Sequence, residues 1–559
     1  MSQSIAYDGD LEYTKKDLVR FYWDFPGGPQ GIFLKKTESG RIFYAKSFAY
    51  PLFVSIFVKF FNYHGFFIFH SCLLFLILLM GYYFLSSKNN LTISLIYTLT
   101  FLFASIAIIY FIWITGEFFN LFLVFSIIFL WVYKLIKENK AQISNNNQHE
   151  IKNSFIKNFL ISDNSDYLAS FLVGIATFSK PPNILLIGPL FIYSFFNKRW
   201  MKSIIILLIF SLTVGAFFGV NYLLTSDLNY MGGERKTFLF KFPFEQEGYS
   251  FDSLGHLMTS EDYFKKHPIN LKIIIYNIFY FFFGRFSGIV WYFFPAFLAL
   301  LLFLFSREKK LYQWLILATI LGEILIYVIL MPDNYIGGGG TLGNRYFLNI
   351  YPLFFFLPNL TKSKKEIILS WIVAGVLLSQ ILLNPFSSSS YPATHAKKFP
   401  FKIFPVEKTL INTLPTNTNP SAFGINFGYP PNRHRLYFLD DNFHKKQGNG
   451  FWTYGDSTSE ILLRTYYPIK KIRFKITNNG RLANKAFVKV DGAKKEIILH
   501  NKEKKEIDFT TGSGFKFGGS YIYHLKIKSA KGAIPYFENK KSNDRRFLGV
   551  FVEIEVVPK

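Results

Sequence analysis

Residues 204–224 read IIILLIFSLTVGAFFGVNYLL, a predominantly apolar run without a charged side chain. A run of roughly 20 such residues is long enough to cross the hydrocarbon core of a bilayer as a helix. In lipid, a single segment satisfies its own backbone hydrogen bonds only when it is helical. Similar runs occupy residues 66–85 and 91–114. The sequence therefore predicts an α-helical protein that crosses a membrane several times.

The composition and charge of the chain agree with this class. Half of the 559 residues are hydrophobic and 18% are charged, and the apolar residues are clustered as no water-soluble fold of this size would tolerate. The net charge of +26 comes from Lys and Arg residues spread over many short loops, not from one dense patch. We therefore expect membrane lipids, lipid phosphates and acidic polymers as partners, and no nucleic acid. Cys72 is the single cysteine, so no intrachain disulfide forms.

The apolar segments predict about ten spans in this chain. Residues 50–63 are apolar but short, which is typical of an interfacial helix. Two shorter segments, 166–178 and 183–197, flank the Lys-Pro-Pro break at 180–182 and form either two short spans or one re-entrant hairpin. The remaining predicted spans are 66–86, 91–113, 118–136, 203–224, 287–305, 313–331, 346–360 and 367–384.

Basic residues in alternate loops give these spans an orientation. The Lys and Arg residues near 134–157, 198–202, 307–310 and 362–365 all fall on one side, which the positive-inside rule makes the cytoplasm. The opposite, extracytoplasmic side receives residues 1–48, 115–117, 225–270, 332–345 and everything after 384.

Residues 1–48 are predicted to be extracytoplasmic, but they show no feature that would account for their export across the membrane. Residues 1–48 have neither the basic start nor the apolar core of a signal peptide. We therefore expect a further helix upstream of Met1 that runs from inside to outside. On this interpretation the chain is N-terminally truncated.

The C-terminal part changes to the period-two alternation of β-strands. Examples are IRFKI at 472–476, FVKV at 487–490, YIYHLKI at 521–527 and VFVEIEV at 550–556. Short alternating runs between turn residues predict an antiparallel sandwich or jelly roll. The predicted domains are a first extracytoplasmic loop with an interfacial helix, a transmembrane helical domain, a connecting segment and an extracytoplasmic β-sandwich, at 1–63, 64–384, 385–430 and 431–559.

Charged residues beside the outer ends of spans are the first candidates for chemistry, because a charge at a membrane face is costly unless it is used or paired. Carboxylates there could activate an acceptor hydroxyl, and Arg suits bidentate contact with a phosphate. Structural alternatives stay open: a solvated turn for Asp8 and Asp10, a helix cap for Glu117 and headgroup contact for Arg285. The full set is Asp8, Asp10, Glu12, Lys46, Glu117, Lys180, Arg285 and Arg345.

The segment NYIGGGGTLGNRY at 334–346 is the most unusual local sequence. Consecutive glycines would let backbone N–H groups approach an anion, with Arg345 opening the next helix. A flexible turn is the alternative, and a nucleotide P-loop is excluded because no Gly-Lys-Ser/Thr follows. The ten histidines show no paired ligand spacing, so we predict no cofactor and leave the metal requirement open.

A set of short motifs follows a definite order and spacing along the chain: YDGDL at 7–11, FYAKSFAYPL at 43–52, the outer turn with Glu117, SKPP at 179–182, FGR at 283–285 and GNRYF at 343–347. In this order and spacing the motifs resemble the GT-C superfamily of integral-membrane glycosyltransferases. The resemblance is to bacterial relatives of the protein mannosyltransferases and aminoarabinose transferases. The C-terminal part is similar to carbohydrate-binding-type sandwiches by analogy of fold alone.

The resemblance implies a multi-pass transferase of the inner (plasma) membrane with a GT-C-like helical domain. Such an enzyme takes a sugar from a polyprenyl-phosphate carrier on the outer face and passes it to a glycan, lipid or protein. It implies a donor-phosphate site formed by Lys46, Arg285, Asn344 and Arg345.

The resemblance also implies an essential acid in the first outer loop, and here this sequence departs from the family pattern. In relatives that acid precedes the Asp-Gly-Asp-Leu turn by roughly a helix length, so this chain begins too late to contain it. Asp8 and Asp10 are then fallback catalytic candidates, and Glu117 is a supporting acid.

Two other classes of function stay open at this point. A lipid-linked glycan transporter or flippase would be expected to show polar residues deep within several spans, whereas these spans are mostly apolar. A non-catalytic glycan-binding membrane protein would use its C-terminal domain, where residues 432–454 combine aromatic and basic side chains.

Overall fold

The computed structural model describes residues 1–29, 31–87, 89–141, 155–257, 269–338, 340–358, 364–414, 424–428, 433–538 and 541–559. Parts of the predicted loop 134–157, span 346–360, connector 385–430 and basic segment 432–454 lie outside these residues. By its contacts the chain divides into two units. Unit 1 comprises Met1–Phe264, Ile289–Leu330 and Arg345–Leu383, and unit 2 comprises Lys265–Gly288, Met331–Asn344 and Asn384–Lys559.

Unit 1 is mainly helical. A 3₁₀ turn, Pro181–Leu186, separates the helices Asn164–Ser179 and Ile187–Phe196. The helices are α1 (Ser2–Tyr7), α2 (Lys15–Asp24), α3 (Ala49–Phe61), α4 (His64–Ser86), α5 (Leu91–Phe103), α6 (Ala107–Ile112), α7 (Gly116–Ala141), α8 (Phe155–Ile161), α9 (Asn164–Ser179), α10 (Ile187–Phe196), α11 (Trp200–Thr225), α13 (Ile289–Tyr292), α14 (Phe294–Phe305), α15 (Leu311–Leu330), α16 (Phe347–Phe355), α17 (Lys365–Leu377) and α18 (Ser379–Leu383).

Within the described residues, four helices are long and apolar enough to cross a membrane. They are His64–Ser86, Gly116–Ile136, Trp200–Thr225 and Leu311–Leu330. Shorter apolar helices, among them Ala49–Phe61 and Leu91–Phe103, accompany them. The helical class is confirmed and the apolar helices are compatible with a membrane protein, while the predicted number of about ten spans stays a prediction.

Burial separates a central helix of unit 1 from a peripheral one. Other parts of the protein bury 94% of the apolar stretch of α7 but only 17% of the apolar stretch of α11. Residues such as Leu212 and Leu223 of α11 expose large apolar side chains. An apolar helix face that the protein leaves uncovered is stable in lipid but costly in water.

A small sheet in unit 1 joins the first loop to the loop that follows α11. Its strand order is β2-β1-β3-β4, and all neighbours are antiparallel. Leu34 of β1, Ile42 of β2 and Phe238 of β3 pack in one small apolar core with residues of α2. The strands are β1 (Gly31–Lys36), β2 (Ile42–Tyr44), β3 (Glu234–Leu239) and β4 (His256–Leu257).

Unit 2 combines one apolar helix, α12 (Leu271–Phe283), with an all-β C-terminal region. Asn270 caps α12 by accepting hydrogen bonds from two backbone N–H groups of its first turn. Two short helices, α19 (Pro385–Ser390) and α20 (Pro535–Glu538), lie before and within the β region. The strands are β5 (Ile425–Phe427), β6 (His434–Phe438), β7 (Gly450–Tyr454), β8 (Ser457–Thr465), β9 (Ile469–Thr477), β10 (Asn484–Val490), β11 (Ala493–Leu499), β12 (Lys504–Thr510), β13 (Phe515–Phe517), β14 (Ser520–Ser529) and β15 (Leu548–Pro558).

The C-terminal strands form two antiparallel sheets with a shared apolar core. One sheet has the order β11-β10-β14-β8-β6-β5, with β13 on β14, and the other has the order β12-β9-β15-β7. Ile472, Phe474 and Ile476 alternate inward along β9 and meet Leu525 and Ile527 of β14 in this core. The predicted all-β C-terminal region is therefore confirmed. The sequence alternates because every second residue of these strands faces the apolar core.

Candidate functional site

A group of charged side chains in unit 1, called the cation cluster below, consists of Lys46, Lys180, Arg235, Arg345 and the carboxylate of Glu117. Electrostatic coupling joins them, because each of the other four charges perturbs the pKa of Lys46. They lie on different elements: before α3, after α9, in β3, before α16 and in the first turn of α7. The fold thus gathers charges that are far apart in the sequence.

Arg345 and Glu117 form the ion pair of this cluster. Arg345 Nε lies 3.3 Å from Glu117 Oε1, and both side chains are mostly buried. The position of Glu117 in the first turn of α7 is one that the helix dipole favours for an acid. The pair offsets one of the four cationic charges and orients the guanidinium of Arg345.

An aromatic ring lies beneath two cations of the cluster. Lys180 Nζ is 5.5 Å and Arg345 Cζ is 5.7 Å from the centroid of the Tyr346 ring. That ring stacks on Tyr327 of α15 at 4.8 Å. Lys180 Nζ is buried, and no hydrogen-bond acceptor in the described part of the chain reaches it. A buried ammonium without an acceptor is costly, which favours an anionic ligand at this point.

The other two cations lie against the aromatic ring of Phe33 in β1. Lys46 Nζ lies 4.2 Å and Arg235 Cζ lies 4.7 Å from the centroid of its ring. Arg235 is buried, and its Nε finds no acceptor among the described residues. The pairing of β1 with β3 brings Arg235 to this place, since Leu34 is opposite Lys236 and Lys35 is opposite Arg235. Within the cluster, four cations therefore face the one carboxylate of Glu117, and the carboxyl group of Glu323 also acts electrostatically on Lys180.

The surplus of positive charge acts on the pKa of Lys46. Burial, together with the charges of Arg235, Arg345 and Lys180, lowers the pKa of Lys46 to about 8, and Glu117 opposes this effect. A lysine whose pKa is lowered by neighbouring cations lies in a positive potential. Such a potential favours binding of an anion.

Asp8 and Asp10, the predicted catalytic fallbacks, lie in a separate group of charges, where cations surround Asp8 and other acids surround Asp10. Asp8 is paired with Lys16 and with Arg20, the latter at 2.5 Å. Burial acts to raise the pKa of Asp8, but hydrogen bonds from these two cations lower it below its usual range. Asp10 Oδ1 accepts a hydrogen bond from the backbone of Glu12, and burial raises the pKa of Asp10. Asp10 therefore retains more of the character of a base than Asp8 does.

Arg285, predicted to hold the donor phosphate, has other partners in unit 2. Its guanidinium is buried, lies 2.8 Å from Glu460 Oε2, and donates to the carbonyls of Lys402 and Phe404. The neighbouring Gly284 leaves room for Glu407, whose Oε1 would lie 2.2 Å from an added Cβ. These contacts explain the FGR motif by packing, so the site proposed below does not include Arg285.

Asn344 and the glycine loop belong to unit 2 as well. Asn344 is fully buried, whereas Arg345 directly after it belongs to unit 1. Gly337 and Gly338 have φ values of 89° and 111°, which only glycine adopts without strain. Gly339 lies outside the described residues. Binding of an anion by this loop stays a prediction. Among the described residues, no group of three or more His, Cys, Asp or Glu side chains could hold a metal ion.

A second polar group lies within the helices of unit 1. Glu323 of α15 is fully buried, and Asn349 Nδ2 donates to its Oε2 at 3.0 Å. Asn349 also donates to Asn183, which in turn donates to the carbonyl of Ala176 near the end of α9. The sequence alone predicts neither this group nor the role of Arg235. A lone polar residue in an apolar run gives no sign of its partners, and Arg235 is identified only by the long-range pairing of β3.

Comparisons with known proteins add little to this geometry. No protein family and no curated protein sequence matches the chain. A solved structure described as TmCBM61 in complex with beta-1,4-galactotriose matches 23% of this chain and 90% of its own length, at 12% sequence identity and a TM-score of 0.14. A similarity of that size carries no argument about fold or function.

Proposed function

We propose that this protein is a GT-C-like membrane glycosyltransferase. In this proposal it transfers a sugar from a polyprenyl-phosphate-linked donor to an extracytoplasmic acceptor, which is a glycan, a lipid or a protein. The observation that carries the proposal is the cation cluster, where four cations face the carboxylate of Glu117 beside apolar helices. A lipid-borne phosphate supplies the missing negative charge and has an apolar chain that lipid-facing helices accept.

The proposed reaction is a direct displacement at the anomeric carbon of the sugar. The acceptor oxygen forms the new bond as the bond from that carbon to the phosphate oxygen breaks, and the acceptor proton passes to a carboxylate base. Lys46, Lys180, Arg235 and Arg345 would stabilise the negative charge that develops on the leaving phosphate. Of the predicted catalytic carboxylates, Glu117 is the one that lies with these cations, so it is the candidate base within this chain, whereas Asp8 and Asp10 lie in a separate group of charges.

Turnover of labelled donors tests this proposal. The purified chain is incubated with a panel of radiolabelled polyprenyl-phosphate sugars and cell-envelope acceptors, and release of polyprenyl phosphate is measured. We expect Lys180→Met to lower the rate by about 100-fold, because one preorganised cation at the leaving group is lost. Lys241→Met, at an exposed position of the same unit, is the matched control. Equal rates in the two variants would remove Lys180 from the site, and a folded chain that neither binds nor converts any of the donors would contradict the proposal.

A lipid-linked glycan transporter is the second candidate, and one observation favours it. Glu323, Asn349 and Asn183 form a buried polar group within the helices, which is the feature expected of a transport path. In this alternative, Glu323→Gln would slow movement of a fluorescent polyprenyl-phosphate lipid across reconstituted vesicles. A transferase would move no more lipid than vesicles without protein, with or without the substitution.

A further inference from the structure

A second group of charges in unit 1, called the Asp166 network below, consists of the buried Lys134, Asp166 and Lys202 and the more exposed Asp163 and Arg199. Asp166 Oδ2 accepts from Lys134 Nζ at 2.5 Å and also from Lys202 Nζ. Asp163 Oδ1 lies 2.5 Å from Lys202 Nζ and 3.5 Å from Arg199. The side chains of Lys134, Asp166 and Lys202 are more than nine-tenths buried. The network joins helices α7, α9 and α11.

The Asp166 network and the cation cluster lie at opposite ends of the same helices. From Glu117 to Lys134 along α7 is about 26 Å, and from Asp166 to Lys180 along α9 is about 21 Å, at 1.5 Å per residue. Both helices thus carry one charged group at each end of an apolar stretch. This separation approaches the ~30 Å hydrocarbon thickness of a bilayer. Two such groups on one set of apolar helices fit the two faces of a membrane.

A cavity of about 170 Å³ opens beside the Asp166 network. Its polar lining includes Lys134, Asp166, Ser194, Asn197, Arg199 and Lys202. Lys134, Arg199 and Lys202 against Asp163 and Asp166 leave one surplus positive charge. The N-terminus of α11, a helix of 26 residues, begins at Trp200 next to this cavity and adds partial positive charge.

One oxygen of a residue that lines this cavity lacks a partner. Asp166 Oδ1 is buried, and no donor in the described ranges of the chain reaches it, although Oδ2 of the same carboxylate holds both lysines. A buried carboxylate oxygen without a donor is costly. The cavity therefore presents positive charge together with a site that accepts a hydrogen bond. A ligand that fits it carries both a negative charge and a hydrogen-bond donor.

The surroundings of the cavity are typical of a membrane interface. Phe195, Phe196, Trp200 and Met201 flank Arg199 in the chain, and all four expose large parts of their side chains. Exposed aromatic residues next to basic ones at the ends of apolar helices lie at the level of lipid headgroups. A lipid that reaches this cavity from the bilayer would have its headgroup at the same depth in the membrane as the cavity.

We propose that the cavity binds the headgroup of an anionic glycerophospholipid, with a phosphoglycerol headgroup as the best fit. Its phosphodiester would lie against Arg199 and the start of α11, and a glycerol hydroxyl would donate to Asp166 Oδ1. An ammonium headgroup fits less well, because the same carboxylate already holds Lys134 and Lys202. A choline headgroup has no donor to offer this oxygen.

Lipid binding by the purified full chain tests the proposal. Native mass spectrometry in detergent counts the bound molecules of phosphatidylglycerol and of phosphatidylcholine as each lipid is titrated. In parallel, thermal unfolding is measured with inorganic phosphate at concentrations up to about 10 mM. We expect one saturable phosphatidylglycerol, bound about tenfold more tightly than phosphatidylcholine, with no comparable stabilisation by inorganic phosphate.

The matched pair Arg199→Gln and Lys198→Gln separates a specific site from general attraction of anionic lipid. Both residues are exposed and adjacent in the chain, and Arg199 lines the cavity. We expect Arg199→Gln to weaken phosphatidylglycerol binding by about tenfold and Lys198→Gln to change it by less than about twofold. An equal effect of the two variants, or equal stabilisation by inorganic phosphate, would overturn the proposal. Neither result bears on the transferase, whose donor site is at the other end of the helices.

Discussion

At the scale of single residues, the cation cluster concentrates charge where desolvation makes charge costly. Lys46 shows the consequence most directly, because burial and three neighbouring cations lower its pKa to about 8. The ammonium form is therefore lost as the pH rises through about 8 in the absence of ligand. Donor binding that depends on this charge should weaken over the same range.

We predict that affinity for a polyprenyl-phosphate ligand falls as the pH rises from about 7.5 to 9.5. The decline approaches tenfold per pH unit above the pKa of Lys46 in the free protein, since only the protonated protein binds well. Lys46→Arg should flatten the profile, because Arg keeps its charge over this range. Isothermal titration across the pH series measures the effect, and a profile identical in both proteins would contradict it.

Arg285 and Glu460 give a second prediction at this scale. Hydrogen bonds from His524 and Arg285, with their charges, outweigh burial and hold the pKa of Glu460 well below its usual range. Arg285→Met leaves that buried carboxylate short of a partner and should destabilise the protein by about 3 kcal/mol. Lys504→Met, at a pair with Glu553 that is partly exposed, should cost less than about 1 kcal/mol.

The measurement for this pair is denaturant unfolding with donor binding followed in parallel. Because Glu460 is ionised in the folded state at neutral pH, the stability that it contributes is present above its unfolded pKa of about 4.5 and is lost as the pH falls toward its lower folded value. A variant with unchanged stability but lost donor binding would instead return Arg285 to the phosphate site.

At the scale of elements, α9 packs closely on α11. The helix α9 runs from the Asp166 network at its start to the cation cluster after its end. Gly174 of α9 allows this approach, since an added Cβ would lie 2.5 Å from Cβ of Thr213 in α11. Gly215 of α11 differs, because nothing lies within 4 Å of the position of its Cβ. The two glycines therefore form a matched pair, with Gly174 inside the helix contact and Gly215 outside it.

We predict that Gly174→Ala destabilises the protein by about 1–3 kcal/mol, because the added methyl group forces the helices apart. Gly215→Ala should be neutral or stabilising by up to about 1 kcal/mol, because Ala favours helix without a clash. Thermal unfolding in detergent measures both. Similar losses for the two variants would show that helix packing is not what Gly174 provides.

Local patterns predicted most of the elements, and long-range pairing accounts for those that the sequence did not reveal. Apolar length is a property of one segment, so α4, α7, α11 and α15 were foreseeable from residue counts alone. Alternation likewise marked β9, β10, β14 and β15. The sheet of β1 with β3 joins residues 31–36 to residues 234–239, and neither strand stands out from its surroundings. Its existence depends on contacts that no local pattern encodes.

The residues of the candidate site also divide into those that local patterns predict and those that depend on long-range pairing. Lys46, Glu117, Lys180 and Arg345 were identifiable as charges beside apolar segments, because such charges are rare and costly. The sequence did not identify Arg235, whose position depends on the pairing of β3 with β1. Nor did it show that Arg285 would meet a carboxylate 175 positions further along the chain.

At the scale of the whole molecule, the two proposed sites require the two ends of unit 1 to face opposite sides of a membrane. In a Cys72→Ser background, we predict that Lys241→Cys is labelled by an impermeant maleimide from the extracytoplasmic side. Lys198→Cys should be labelled only after the membrane is opened. Both positions are exposed, so labelling of both from the same side would contradict the predicted topology rather than reflect burial.

The central claim is that the cation cluster binds a lipid-linked phosphate, and direct binding of a radiolabelled polyprenyl-phosphate sugar tests it best. Saturable binding to the purified chain should be lost in Arg345→Glu, which reverses the charge paired with Glu117. Arg307→Glu makes the same charge change at an exposed position outside the cluster and should bind as the unaltered protein does. Equal binding by the two variants would contradict the account.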